Sequence, residues 1–385
     1  MGRLYIFAHA PWPLLLALAL PAPAAPPEIE RELAGVVDLF YGMDFDEARA
    51  ASEALAAKRP EHPAGVFYRG ISSYQRWIAE GMRSTETLRA FEADNEAAER
   101  LSRALIKTSP AEGHYYLGAS LGFRSRAAAG QRKFMRALPD GAAAVKHLKK
   151  ALALDPALTD ARLGMGMYHY FAARMPAGAR PFAFLLVGEG PDRELGLKEL
   201  WSVAESTGVS RMEARSVLAT ILSKDDEAGW VKADELLVEL CARYPRNPVY
   251  RLRRAYVAVR RREYEAAVRL ADPDGAWIKT LHPSVRTPAR AWALYRAAEA
   301  RLLQGRPGDA AAWLGALDSL PHPRGMKDWV LLRTGNLYDA AGKSALARET
   351  YARVKDKQPA ALAARFRDEA YPAGPKDAAP FFTGY

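Results

Sequence analysis

Outside its first 24 residues the chain carries six histidines, His62, His114, His147, His169, His282 and His322, and no two lie within four positions of one another. A metal centre read from sequence needs imidazoles paired on one helix face, and no HExxH motif or His-rich tract supplies them. Cys241 is the single cysteine, so neither an intrachain disulfide nor a thiolate cluster can form. In LLVELCARYP it lies near Leu237 and Leu240 and reads as a small core residue. There is no GxSxG and no phosphate-cradling GxxxxGK[ST], and GEGPDRELG does not follow a predicted strand. The acid pair Asp225–Asp226 in SKDDEAGW reads as a solvated loop or a helix start. No catalytic residue, metal or cofactor is expected. An enzyme whose site is scattered over loops stays as a second alternative.

Two stretches remain as candidate binding chemistry. In GMYHYFAARMP, His169 sits between Tyr168 and Tyr170 and is followed by Pro176. In RLRRAYVAVRRREY, Arg251, Arg253, Arg254, Arg260, Arg261 and Arg262 crowd twelve positions. Pairs seven apart lie near one helix face, so these arginines are expected to form a basic ridge. Such a ridge suits an acidic protein, phospholipid headgroups or an anionic envelope glycan. A second basic cluster comprises Arg124, Arg126, Arg132, Lys133 and Arg136.

Composition bounds the partners. The 385 residues carry 55 basic and 45 acidic side chains, a net charge of +10, which favours anionic partners. Arg3, the short apolar run WPLLLALAL and the small residues Ala22–Ala24 read as a secretory signal over residues 1–24. Export, most simply to the periplasm, makes nucleic acid an unsuitable partner. Abundant alanine and sparse β-branched residues favour helix nearly throughout.

The elements that position these residues come from a repeat. Leu331–Pro359 places Gly335 and Tyr338 on one helix, Gly342 in a turn, and Ala347 and Tyr351 on a second helix. The second-helix pattern recurs around Ala48, Ala98, Ala144, Gly196, Ala233, Ala267 and Ala310. The small residues let two antiparallel helices approach, and prolines such as Pro60, Pro110, Pro156, Pro245 and Pro359 are expected to close the second helix. This spacing resembles the tetratricopeptide repeat (TPR). More closely, GMYHY…P…GEGPDRELGLKEL is similar to exported bacterial TPR proteins that carry a comparable insertion, and more distantly to tetratricopeptide-39 and Iml2-type proteins.

The resemblance implies an all-α, right-handed superhelical solenoid of about eight hairpins. Its N-terminal half spans 28–208, its C-terminal half 209–371, and the tail 372–385 is expected to be disordered. Gly118 precedes Ala144 by 26 residues, where Gly335 precedes Ala347 by 12, so the early hairpins should be elongated and project beyond the solenoid. Gly164 precedes Gly196 by 32, and that extra length should be a loop over 175–192 around the apolar FAFLLV. By the same resemblance the first helix of each unit lines a concave groove. That places Tyr115, Phe123, Met165, Tyr168, His169, Asn336 and Asp339 at a ligand-binding face. The resulting expectation is a non-catalytic scaffold of the cell envelope. It would bind a peptide, helix or partner domain through the groove or the N-terminal hairpins. The alternative is an anionic glycan or lipid binder using the arginine ridge.

Overall fold

The computed structural model describes residues 27–174, 188, 190–323 and 325–371. The segment 1–24 read as a secretory signal, most of the 175–192 insertion, and the tail 372–385 lie outside the described residues. Among the described residues there are seventeen α-helices, one short 3-10 helix and no strand. Consecutive helices pair into eight hairpins and leave one helix over. The hairpins are α1 (Pro27–Tyr41) with α2 (Phe45–Lys58), α3 (Pro63–Ala79) with α4 (Thr85–Leu105), α5 (Pro110–Gly130) with α6 (Phe134–Leu154), and α7 (Thr159–Ala173) with α8 (Arg193–Ala204). The later four are α9 (Arg211–Leu222) with α10 (Glu227–Arg243), α11 (Pro248–Arg260) with α12 (Tyr264–Ala271), α13 (Pro283–Leu303) with α14 (Pro307–Asp318), and α15 (Lys327–Ala340) with α16 (Ser344–Ala352). The last helix, α17 (Lys357–Asp368), covers the end of the array.

The small-residue slots explain the pairing. Ala48, Ala98, Ala233, Ala267, Ala310 and Ala347 are all fully buried, and Ala144 is 4% exposed. A methyl group added to Gly118 would lie 2.8 Å from the Leu148 side chain and 3.0 Å from the Ala144 carbonyl, so α5 and α6 meet where the spacing places them. One slot moves by two residues. The close partner of Gly196 is Gly166, not Gly164, because a Cβ on Gly196 would sit 2.8 Å from the Gly166 carbonyl. Gly164 instead faces Leu148 of the preceding hairpin.

Pro60, Pro156 and Pro245 each stand just past the end of a hairpin's second helix, as the spacing predicts, but two other prolines open the helix that follows. Pro110 is the first residue of α5, and Pro359 lies in the first turn of α17. A missing N–H goes unnoticed there, since the first-turn donors have no intrahelical partner. Pro63, Pro248 and Pro283 also open helices, each preceded by a side-chain cap. His62 and His282 are two of those caps, each accepting from the backbone N–H two residues on. Two histidines that could have carried chemistry are thus used to start helices. The tight turns inside the hairpins pass through left-handed backbone, at Met43, Met82, Arg132 and Arg262 among non-glycines and at Gly305 and Gly342 where the glycine form is used.

The elongated hairpins are real, with α5 and α6 at 21 residues each against 14 and 9 for α15 and α16. They do not end in open solvent. The turn after α3 brings Gly81 against Pro323 and Pro288, and Arg83 donates to the His322 carbonyl at 2.7 Å. The turn after α5 brings Arg132 onto Asp356 in a two-pronged pair at 2.7 and 2.8 Å. A second clasp lies on the inner side. Asp38 of α1 accepts from Arg243 at 2.6 Å and from the Tyr244 hydroxyl at 2.6 Å, while Asn247 donates to the Tyr41 carbonyl. Arg246 pairs with Asp44. The array therefore curls until its early hairpins rest on its late ones, and one core runs from Ile29 to Leu303.

Candidate functional site

Curling and the inward position of α1 leave a half-enclosed chamber of about 270 Å³ between α1, α3, α5, α6, α7 and the start of α9. Its walls are apolar, with Phe40, Ile71, Phe123, Leu148, Met167 and Tyr168 among them. Room arises because glycines on α5, α6 and α7 place no side chains there; Gly118, Gly122, Gly141 and Gly164 all face it.

One end is polar and internally paired. Glu213 of α9 accepts from Arg126 at 2.8 Å, from Gln75 at 3.4 Å and from the Tyr41 hydroxyl, joining α1, α3, α5 and α9. Burial pushes its carboxyl up to about 7, while the Arg126 charge acts in the opposite direction. The Arg126 guanidinium lies over the rings of Phe123 and Tyr74, at 4.8 and 5.4 Å from their centroids. Asp160 accepts from the Ser210 N–H at 3.1 Å, and burial raises it. Burial also lifts the phenols of Tyr68 and Tyr115 well above their ordinary range, so they stay protonated.

The groove residues divide into three groups. Tyr115, Phe123 and Tyr168 line the chamber. Met165 and His169 are buried at 4% and 1% exposure, and His169 Nδ1 lies 2.6 Å from Glu199 of α8. That contact seats the imidazole within its own hairpin. Asn336 and Asp339 belong to a separate polar cluster under the C-terminal end. There Asn336 donates to the Tyr351 hydroxyl at 2.9 Å, and Asp339 accepts from that hydroxyl and from the Tyr371 N–H. Self-contacts thus occupy much of the face that the resemblance assigns to a ligand.

The arginine ridge is dispersed. Arg253 is 5% exposed and points into the protein, so it contributes nothing to a surface. Arg251 donates to the Leu270 carbonyl and stacks on Trp277; Arg254 pairs with Asp234 at 2.8 Å. Arg260 covers Trp230 at 4.6 Å, and Arg261 pairs with Glu263 at 3.0 Å. Arg262 lies beyond the helix in the left-handed turn, exposed. Arg254 and Arg261 do share one face, both reaching Asp234 at 2.8 and 3.7 Å, but the burial of Arg253 and these acidic and aromatic partners leave no continuous basic ridge.

Three features escaped the sequence. His114 of α5 and His147 of α6, 33 residues apart, meet with Nδ1 atoms 2.8 Å apart. Burial first, and then the His114 charge, lower His147 to about 4. The turn of the third hairpin exposes Phe134, Met135 and Leu138 at 61%, 85% and 44%, beside exposed Lys133 and Arg136. Their apolar periodicity is that of a core-facing helix, so only the fold could reveal that this end has no cover. Buried Glu299 is held between Arg296 and Arg333, both at 2.7 Å. Among the described residues no group of three or more His, Cys, Asp or Glu is arranged to hold a metal, and no helix is long and apolar enough to cross a membrane.

Among the described residues the chain is an all-α solenoid of paired helical hairpins. No protein-family model matches it, and no curated protein does. Among solved structures it is similar to yeast Tom70, at 12% identity, 89% of each chain and a TM-score of 0.40. It is also similar to a chain in the structure of Naa15/Naa10 bound to HypK-THB, at 14% identity and a TM-score of 0.27. That match covers 90% of this chain and 64% of the other.

Proposed function

We propose that this protein is a non-catalytic, protein-binding scaffold of the cell envelope, and that it docks its partner through the tip of the third hairpin. The observation that carries the reading is the adjacency of Phe134, Met135 and Leu138, all exposed, at the start of α6. A contiguous apolar patch rimmed by charge is a common mark of a protein contact. Lys133 and Arg136 beside it favour an acidic rim on the partner. The arginines of 251–262 support an anionic-surface reading less, because most are engaged within the fold. Binding along an open groove is also less supported, since α1 lies across the inner side; a groove contact would reduce to one apolar anchor entering the chamber.

The test is crosslinking of the native envelope followed by pull-down with the mature protein. Phe134→Ser with Met135→Ser should abolish capture of the crosslinked partner while the melting temperature stays within a few degrees. Loss of capture only in Phe123→Ala with Tyr168→Ala would transfer the contact to the chamber. Unchanged capture by both folded variants would remove the reading.

A further inference from the structure

We infer that the chamber is a binding site for a small, uncharged, hydrocarbon-rich molecule. This goes beyond the protein-docking reading and stands or falls separately from it. The decisive residue is Gly122. A glycine within a helix costs roughly 0.5–1 kcal/mol relative to alanine, so it needs a reason. Gly118 and Gly164 have one, because a methyl group on either would strike Leu148, at 2.8 and 2.3 Å. Gly122 has no such reason: its added methyl would meet only the Ala144 Cβ, at an ordinary 3.8 Å. Helix packing does not require Gly122 to be small. What its smallness does is keep the chamber open beside Phe123 and Ala119.

Size and charge define the occupant. An apolar cavity of about 150 Å³ accommodates benzene, so about 270 Å³ suits roughly ten non-hydrogen atoms. Residues of α1 form one wall, which leaves no room for a partner helix to lie along this face. The polar end offers no charge to a ligand, because Arg126 is committed to Glu213 and Asp160 to the Ser210 N–H. An ionised head group would be buried without a partner, which is strongly unfavourable. A short acyl, isoprenoid or aromatic body without formal charge fits all three constraints.

The probe is 1-aminonaphthalene, which has about eleven non-hydrogen atoms, is uncharged at neutral pH and emits at shorter wavelength in apolar surroundings; its short-wavelength emission is followed on titration into the folded mature protein. Saturable enhancement at one site per chain is expected. Gly122→Leu should weaken it at least tenfold with the melting temperature unchanged or raised, while Gly122→Ala should weaken it less than threefold. Where Gly122→Leu does not fold, Gly122→Val is read instead, with at least fivefold weakening. Phe134→Ser with Met135→Ser should leave the probe's affinity unchanged, which separates the chamber from the hairpin tip. No saturable enhancement in the wild type, or equal affinity in a folded Leu or Val variant, overturns the assignment.

Discussion

Alanine placed at two helical glycines should change stability in opposite directions. At Gly196 the new Cβ would lie 2.5 Å from the Tyr170 nitrogen, 2.8 Å from the Gly166 carbonyl and 3.0 Å from the Tyr170 Cα. All three obstacles are backbone atoms of α7, so no rotamer change relieves them, and α7 and α8 must separate by about 1 Å. Overpacking of this kind costs about 1–3 kcal/mol, and backbone obstacles put it at the upper end. The helix-propensity gain of about 1 kcal/mol offsets part of that, leaving a net loss of about 2 kcal/mol. At Gly122 the nearest atom is 3.8 Å away, so the propensity gain survives and the variant should gain about 0.5–1 kcal/mol. Urea unfolding followed by far-UV circular dichroism measures both, with the denaturant slope checked for constancy. Two shifts of the same sign, or a Gly196→Ala protein as stable as the wild type, would refute the argument that close approach at Gly166 sets this hairpin.

Two further outcomes follow from the contacts. His147 is held below its ordinary value in the folded state, so the unfolded chain binds more protons between pH 6.5 and about 4, and stability must fall as pH drops through that window. Both rings are partly exposed, which discounts the effect to about 1 kcal/mol; His147→Gln should flatten the wild-type slope by that amount in melts at pH 7 and pH 4.5, and parallel slopes would count against it. Asp38→Ala removes the acceptor of Arg243 and Tyr244 and should cost about 1–2 kcal/mol; amide exchange should quicken in α1 and stay unchanged in α15 and α16, and unchanged exchange in α1 would show that the inner clasp is dispensable.

Local spacing carried the repeat and lost the closure. The small slots at Ala48, Ala98, Ala233, Ala267, Ala310 and Ala347 were legible because each is set by contact with a helix one turn away in the chain. The slip from Gly164 to Gly166 arose where two glycines sit within one turn, so the period alone does not choose between them. Pro60, Pro156 and Pro245 do follow helix ends, but Pro110 and Pro359, also read as stops, lie in the first turn of the next helix, since one ring serves either purpose. The chamber's lining was legible in part. Tyr115, Phe123 and Tyr168 do share a chamber, but no local signal announces that α1 lies over it, because its clasps join Asp38 to Arg243 across 205 positions. His114 and His147 were missed for the same reason: a pair across two helices has no fixed sequence interval.

The clasps between early and late hairpins alter how the molecule comes apart. In an open array each repeat answers only to its neighbours, and unfolding frays inward from either end. Here Arg83 and Arg132 tie the second and third hairpins to segments more than 220 positions away, and Asp38 ties the first to the fifth. Fraying at one end therefore strains the other, and the chain should melt in fewer, sharper steps than an open array of equal length. The same long-range pairings raise contact order, so the route to the native state should be slow. A slow-forming, poorly fraying solenoid presents few transient openings to proteases.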